Sequence, residues 1–435
     1  MRARRSSIEF AMSSKQCDPA GEAHPPAKPS SAVPIQLYRN TKNQSVEMAA
    51  EAPRFRPLVY WYLSFRCNLA CQHCSVKSSP WVDTSTDLQT DDALRVIDQL
   101  AELDVSSVVL TGGEMLARRD ALPIIEQLGN RGIPTFLESN GVLITEKFAR
   151  LAKSLQDRRL LEVGISLDGG TAETHNEMRG AGTFAATVRG MRLLHAHGVR
   201  FVVQMILNRH NYSTIPALFA LGRELWPMVS TLSFGLLNPI GRGTELTKTL
   251  GLRAADVNAI CGILKREQPS FEGFTVFKGP PAVVPPQHLD LIIRRRRMIS
   301  HMSCAFPLLG VLPDGSVTIC ALSRDNPSLY FGNVRTHSLK RIWADTRMTM
   351  LRSRYVAAES LQGICADCVW KYSCKGSCRA WAYEDGADFD APFPICTQMQ
   401  AAGEFPRAYR ISAREEAMSR WLAQHGGDVS CGCSA

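Results

Sequence analysis

The chain lacks what a membrane or exported protein needs. Its longest apolar runs fall far short of the roughly 18 residues that a bilayer span requires. The amino terminus, MRARRSSIEFAMSSKQ, is basic but carries no continuous apolar stretch, so it does not read as a secretory signal. These absences argue for a cytoplasmic setting with no membrane partner. Residues 1–55 lack any periodic apolar pattern, are rich in Pro, Ser, Ala and Lys, and read as a disordered extension in which Met12 and Met48 are alternative starts. The net charge of +9 is spread along the chain except at Arg294-Arg295-Arg296-Arg297. That run has no interleaved aromatics and no recognition motif. It argues against nucleic acid and for a solvated face or a patch for an acidic substrate.

The missing export signal changes the meaning of what is abundant. Fourteen cysteines in a chain without a secretory signal point to metal ligation and away from disulfides. The 435 residues, 45% hydrophobic and 21% charged, suffice for two or three domains around a substantial core.

From Pro57 to about Leu250, short apolar runs alternate with amphipathic ones. Strands are expected at Leu58–Ser64, Ser107–Thr111, Pro134–Glu138, Leu161–Leu167, Arg200–Leu207 and Thr231–Leu236. Helical patterns lie between them, as where Leu94, Ile97 and Leu100 share one face. Strand–helix alternation predicts an α/β fold of βα units around a parallel sheet, and six units make an open (β/α)6 partial TIM barrel. Ligands of such sheets sit at the carboxyl ends of the strands. A further helix is expected from Arg253 to Arg266, and the prolines at 280–281 and 285–286 mark a linker. Seven cysteines then fall between Cys304 and Cys396.

The first strand runs into Cys67-Asn68-Leu69-Ala70-Cys71-Gln72-His73-Cys74, a C-x-x-x-C-x-x-C loop. With cysteine near three per cent of the chain, 14 of 435, this spacing is a roughly one-in-a-thousand coincidence. Three thiolates can hold one face of a [4Fe–4S] cluster and leave one iron open. A zinc knuckle with His73 as fourth ligand is the alternative reading of the octet. Thr111-Gly112-Gly113-Glu114 ends the second strand, where two glycines permit close backbone approach and a carboxylate can accept from an ammonium, or simply form a turn. Asn140-Gly141 follows the third strand. Ile165-Ser166-Leu167-Asp168-Gly169 ends the fourth and puts Ser166 and Asp168 on one face by the period-two rule. Arg179 is either a partner for a ligand carboxylate or one half of a helix-surface salt bridge. Asn238-Pro239-Ile240-Gly241-Arg242-Gly243 follows the sixth strand, and His195 and His197 read as surface residues.

The octet resembles the signature of the radical S-adenosylmethionine (SAM) superfamily. The resemblance implies that Cys67, Cys71 and Cys74 hold a [4Fe–4S] cluster whose open iron chelates SAM. Reductive cleavage of SAM then yields a 5′-deoxyadenosyl radical that abstracts a substrate hydrogen. It further implies that His73 lies beside the adenine, that Gly112, Gly113 and Glu114 hold the SAM amine, and that Asn140, Ser166, Asp168, Arg179 and Gly241 belong to the SAM rim. A flavodoxin- or ferredoxin-type electron donor follows from the same resemblance.

The later cysteines, Cys304, Cys320, Cys365, Cys368, Cys374, Cys378 and Cys396, resemble the SPASM module, a small cysteine-rich α+β domain that holds auxiliary clusters. Pro313-Asp314-Gly315 is the turn of a hairpin presenting Cys320. The resemblance implies two auxiliary [4Fe–4S] clusters, one on Cys365, Cys368, Cys374 and Cys396, the other on Cys304, Cys320 and Cys378. No cysteine lies between Arg294 and Ser303 to complete the latter. An open iron, or a ligand from His301, Cys261, Cys431 or Cys433, are the alternatives. Ala321 stands where sulfatase-maturating relatives carry an acid, which argues against that activity. A pair of zinc ribbons remains the non-enzymatic alternative, a zinc-binding scaffold.

The expected division is an extension over 1–55, a radical SAM core over 56–250, a helix and linker over 251–303, a SPASM domain over 304–400, and a C-terminal helix with a Cys-x-Cys tail over 401–435. The expected activity is a radical SAM oxidoreductase that oxidises or cross-links a ribosomally made peptide. Dehydrogenation of a sugar or aminocyclitol in small-molecule biosynthesis is the alternative.

Overall fold

Inward-facing and outward-facing residues alternate along each strand, and this alternation builds the molecule. A computed structural model of the chain describes residues 56–288, 308–386 and 388–425. Seven parallel strands follow in order: β1 (Leu58–Tyr62), β2 (Ser107–Thr111), β3 (Thr135–Ser139), β4 (Leu161–Ser166), β5 (Phe201–Leu207), β6 (Val229–Leu236) and β7 (Phe274–Lys278). Between them run α1 (Thr90–Glu102), α2 (Ala121–Asn130), α3 (Glu146–Asp157), α4 (Ala172–Arg179), α5 (Thr183–Ala196), α6 (Ile215–Glu224), α7 (Gly243–Leu250) and α8 (Ala254–Glu267). The six expected strands are present, within a residue or two at their ends.

One face of each strand is apolar and lies under the helices. Trp61, Leu110, Leu137, Val163, Val203 and Phe234 are at most 1% exposed and join the helices' apolar stripes in one core. Helix α1 buries Ala93, Val96, Ile97 and Leu100 at helical spacing. Thr145 and Thr171 cap α3 and α4 by accepting the backbone N–H groups of Phe148 and Thr174. The other face of the sheet lines the barrel lumen, and its residues are polar near the carboxyl ends.

Strand β7 was not anticipated from the sequence. Phe274-Thr-Val-Phe-Lys278 is only five residues between two glycines, short enough to pass as part of a linker, yet it pairs with β6 over its whole length. The proline-rich segment after it is not an exposed linker either. Pro281, Ala282, Val283 and Val284 are buried, and the Tyr409 hydroxyl donates to the Val284 carbonyl at 2.8 Å.

On the other edge, β8 (Leu308–Val311) pairs with β1 in parallel, then β9 (Ser316–Thr318) and β10 (Gly332–Asn333) add in antiparallel fashion. The expected hairpin at Pro313-Asp314-Gly315 is present, with Gly315 at φ +84°. The cysteine-rich part is thus joined to the barrel by a continuous ten-stranded sheet. A helix over Ile411–His425 follows, close to the one expected at Glu415–Gln424. Cys304, His301, Arg294–Arg297, residues 1–55, Cys431 and Cys433 lie outside the described residues.

Phe234 is fully buried, with its ring 6.2 Å from that of Phe219, which itself packs edge-on to Phe271. Phe234→Ala should therefore cost about 3–5 kcal/mol, read as a lowered urea midpoint.

Candidate functional site

The cysteine loop leaves β1 and is held mainly by backbone. Cys67 N–H donates to the Ser79 carbonyl at 3.1 Å, closing the loop at its base. Gly113 N–H donates to Ser64 O at 2.7 Å and Glu114 N–H to Arg66 O at 3.0 Å. A Cβ at Gly113 would stand 2.2 Å from Arg66 O, and one at Gly112, whose φ is +144°, would stand 2.3 Å from Ser64 O. The glycine pair therefore serves close backbone approach, and what it approaches in the structure is the chain entering the cysteine loop.

Glu114, expected as an acceptor for an ammonium, is engaged within the chain. It is 1% exposed, and its carboxylate accepts from Asn140 N–H at 2.8 Å, Leu116 N–H at 3.2 Å and the Ser139 hydroxyl. It braces the β2 turn against the end of β3. Burial pushes its pKa up to about 7 despite these donors. Asn140 in turn reaches Asn68 Oδ1 at 2.8 Å and lies 3.8 Å from Cys67 Sγ.

Asp168 is wholly buried, and both of its oxygens are engaged within the chain. Oδ2 accepts from Arg179 Nε at 2.6 Å and lies 3.0 Å from His73 Nε2, while Oδ1 accepts from Ile206 N–H at 2.7 Å. Burial alone would raise its pKa, but Arg179 and His73 overcome that and hold the carboxyl well below the usual carboxylate range. Ser166, expected on the same face, stays half-buried at the lumen end of β4. Arg179 is no surface residue. Its Nη1 stands 3.9 Å from Cys71 Sγ, and Gln72 N–H donates to the Met178 carbonyl at the end of α4. His73 Nδ1 is buried without a hydrogen-bond partner among the described residues.

The segment after β6 closes over the loop. A Cβ on Gly241 would stand 2.3 Å from Ser75 O. Arg242, which the sequence reading left unremarked, donates to Cys71 O and Ser78 O, both at 2.7 Å. His195 and His197 lie at the end of α5, away from these contacts.

In the C-terminal part, Cys365, Cys368, Cys374 and Cys396 line one cavity with Trp370 and Phe393, so the expected quartet converges. Cys320 and Cys378 share a cluster with Leu308 and Tyr60, and they interact electrostatically. Cys261 lies near Tyr409, as Cys368 does.

Whether these sets suit iron–sulfur clusters is tested by the sulfurs' surroundings. Burial pushes the thiols of Cys67, Cys320 and Cys374 up to about 12 and that of Cys368 up to about 11. Such groups ionise only beside a positive charge brought by a ligand. Backbone donors nevertheless aim at sulfur: Leu69 at Cys67, Ser78 at Cys74, Trp370 at Cys368 and Phe393 at Cys365, at 3.3–3.4 Å. Buried cysteines with aimed donors fit a larger anionic cluster, and the orphaned His73 Nδ1 fits a ligand lodged beside it.

The inward face of the barrel completes the site. Thr111 donates to Glu138 at 3.0 Å, and on the same face Glu138 registers with Gly164, Ser166 with Gln204 and Gly235 with Lys278. Tyr62 packs in one cluster with Val76, Ala321 and Cys74. Glu138, Gln204, Lys278 and Tyr62 were missed in the sequence. The signal available was a polar residue at the inward position near each strand's carboxyl end.

The fold and these cysteine sets define a radical SAM enzyme with an auxiliary cluster domain. The model of the radical SAM superfamily matches residues 61–221, and that of the SPASM iron–sulfur cluster-binding domain matches 304–369. The chain is 30% identical over 345 residues to the mycofactocin maturase MftC of Mycobacterium ulcerans, covering 78% of this chain and 87% of that one. It is 27% identical over 386 residues to the Fe-coproporphyrin III synthase of Methanosarcina barkeri, covering 83% and 93%. Among solved structures it resembles SuiB of Streptococcus suis bound to S-adenosylmethionine, with TM-score 0.63, 17% identity, and coverage of 79% and 77%. The chain belongs to the radical SAM superfamily, and it is an enzyme that uses SAM and [4Fe–4S] clusters. No described helix is long and apolar enough to cross a membrane.

Two outcomes follow. Glu114 has a folded pKa of about 7, above its ordinary 4.5, so the stability it lends is full below pH 4.5 and lost as pH rises through 7. Between those values cluster-free protein should lose about 3 kcal/mol through this group, and Glu114→Gln should remove that loss, read as urea midpoints against pH. Separately, a Cβ on Gly310 would stand 2.8 Å from Cys320 Cα. Gly310→Val should push the Cys320 segment off β8 and lower iron content by about four per chain while leaving the other sites loaded.

Proposed function

We propose that the enzyme matures a ribosomally made peptide by radical oxidation or cross-linking. The observation that carries this reading is the mixed charge of the lumen. Glu138 on β3 and Lys278 on β7 lie within electrostatic reach of each other, and the Gln204 amide oxygen stands 3.5 Å from Lys278 Nζ. A peptide offers donors and acceptors to both ends of such a site. A tetrapyrrole whose peripheral charges are carboxylates alone would meet repulsion at Glu138. The relative named a mycofactocin maturase supports the same reading.

On this proposal Cys67, Cys71 and Cys74 hold the SAM-binding cluster. When bound, that cluster supplies the electron that cleaves SAM to the radical, delivered to it by a flavodoxin- or ferredoxin-type donor. Arg179 and Arg242 set positive charge and donors against the loop, and Asp168 fixes the orientation of Arg179 and His73. Gly112, Gly113 and Glu114 shape the edge that meets the SAM amine, with Asn140 and Gly241 as its neighbours and Ser166 facing the ribose. Cys365, Cys368, Cys374 and Cys396 hold one auxiliary cluster, and Cys304, Cys320 and Cys378 the other. The core extends over 56–250 and the auxiliary domain over 304–400. The intervening residues supply β7 and a proline segment packed beside the quartet cavity.

The test is anaerobic turnover with SAM and a reductant on two candidate substrates: a short peptide encoded beside the gene, and iron-coproporphyrin III. Loss of two hydrogens or a new cross-link in the peptide, seen by mass spectrometry, is the expected result. Conversion of the tetrapyrrole with the peptide untouched overturns the reading.

A further inference from the structure

Lys278 is the last residue of β7, at the carboxyl end of the barrel. Three observations place it in the lumen. It registers opposite Gly235 on β6, which has no side chain to cover it. Its Nζ lies 3.5 Å from Gln204 Oε1, although Gln204 belongs to β5, two strands away. It also feels the charge of Glu138 on β3, four strand steps away. Four steps span about 19 Å along a sheet at roughly 4.8 Å each, so both side chains must project into the concave side to interact.

Lys278 is accessible to water, yet the protein around it depresses its pKa below the ordinary lysine range, with Glu138 opposing that shift only in part. Access together with desolvation describes a group on the wall of a cleft. Among the described residues Glu138 attracts it without closing an ion pair, and Glu138 itself accepts from Thr111. Gln204 lies beside Lys278. Its Nε2 sits over Gly164, where a Cβ would stand 2.4 Å away, while its Oε1 faces Lys278. An ammonium on a cleft wall, with an amide oxygen at the edge of hydrogen-bonding range, has donors to spare for an incoming anion.

We propose that Lys278 is the anchor for a carboxylate of the substrate, which it holds at the β7 side of the lumen, across from Glu138. The inference builds on the peptide reading, where the carboxylate is a chain terminus or an acidic side chain. A tetrapyrrole propionate would supply the same chemistry. Lysine serves as a point charge that does not demand a fixed fork geometry, so arginine should retain the interaction and a neutral isostere should not.

The test is equilibrium binding to the cluster-loaded enzyme with SAM present, using two pairs of probes. One pair is N-acetyl-alanyl-alanine and its C-terminal amide, and the other is coproporphyrin III and its tetramethyl ester. At least one acid should bind tenfold or more tightly than its neutral partner. Lys278→Met should abolish that preference, and Lys278→Arg should keep it within a few-fold. Lys278 is exposed and outside the core, so these variants should load iron as the parent does. Absence of any acid-over-neutral preference in the parent, or its persistence in Lys278→Met, overturns the anchor. If only coproporphyrin III shows a Lys278-dependent preference, the anchor stands and the peptide reading falls. If the encoded peptide is converted while no acid is preferred, the peptide reading stands and the anchor falls.

Discussion

The buried carboxylate of Asp168 is the constraint on which the site depends. A charge with no exposure to water survives only if its partners replace what hydration supplied. Arg179, His73 and the Ile206 amide do so at 2.6, 3.0 and 2.7 Å. These partners come from α4, the cysteine loop and β5, so one carboxylate at the end of β4 fixes three other segments. Withdrawing one partner from such a set typically costs about 3–5 kcal/mol, so the geometry is held far more stiffly than a surface pair would hold it. The cysteine loop itself contributes little apolar packing and relies on this pin and on backbone contacts with Gly113, Glu114 and Arg242.

Charge is sorted around that pin. Cations collect against the cysteines, with Arg179 toward the Cys71 sulfur and Arg242 on the loop carbonyls, where burial alone would keep the thiols protonated. The lumen carries the oppositely charged Glu138 and Lys278 instead, with the Gln204 amide beside the lysine. The first arrangement suits a negatively charged cluster. The second leaves both signs available to a substrate.

Much of this was legible in the sequence, and what was not has physical reasons. The six strands could be read because their outward residues are apolar at period two and their connections are long amphipathic helices. The cysteine sets could be read because metal ligation fixes spacing more tightly than packing does. Strand β7 was missed because five residues between glycines carry too little pattern, and its strand character comes from pairing with β6. Glu114 could be found but not its orientation, since a carboxylate after two glycines can face a ligand or fold back, and Ser139 and Asn140 decide that from another strand. Lys278 was invisible because its meaning depends on Glu138, 140 residues earlier and four strands away across the curved sheet.

The parallel pairing of β8 with β1 carries the last step. Tyr60 registers with Gly310, and the Gly310 backbone packs on Cys320, so the auxiliary cysteine and the barrel's first strand are set by one hydrogen-bond ladder. Tyr62, two residues further along the same face, packs in the cluster that contains Cys74 and Ala321, the residue after Cys320. A flexible tether would let the auxiliary site drift relative to the lumen. A sheet register does not, because a one-residue slip would turn Tyr60 and Tyr62 out of the lumen and Val59 and Trp61 into it. The distance between the cysteine loop, the lumen and Cys320 is therefore a property of β1 itself, and changes there must disturb all three together.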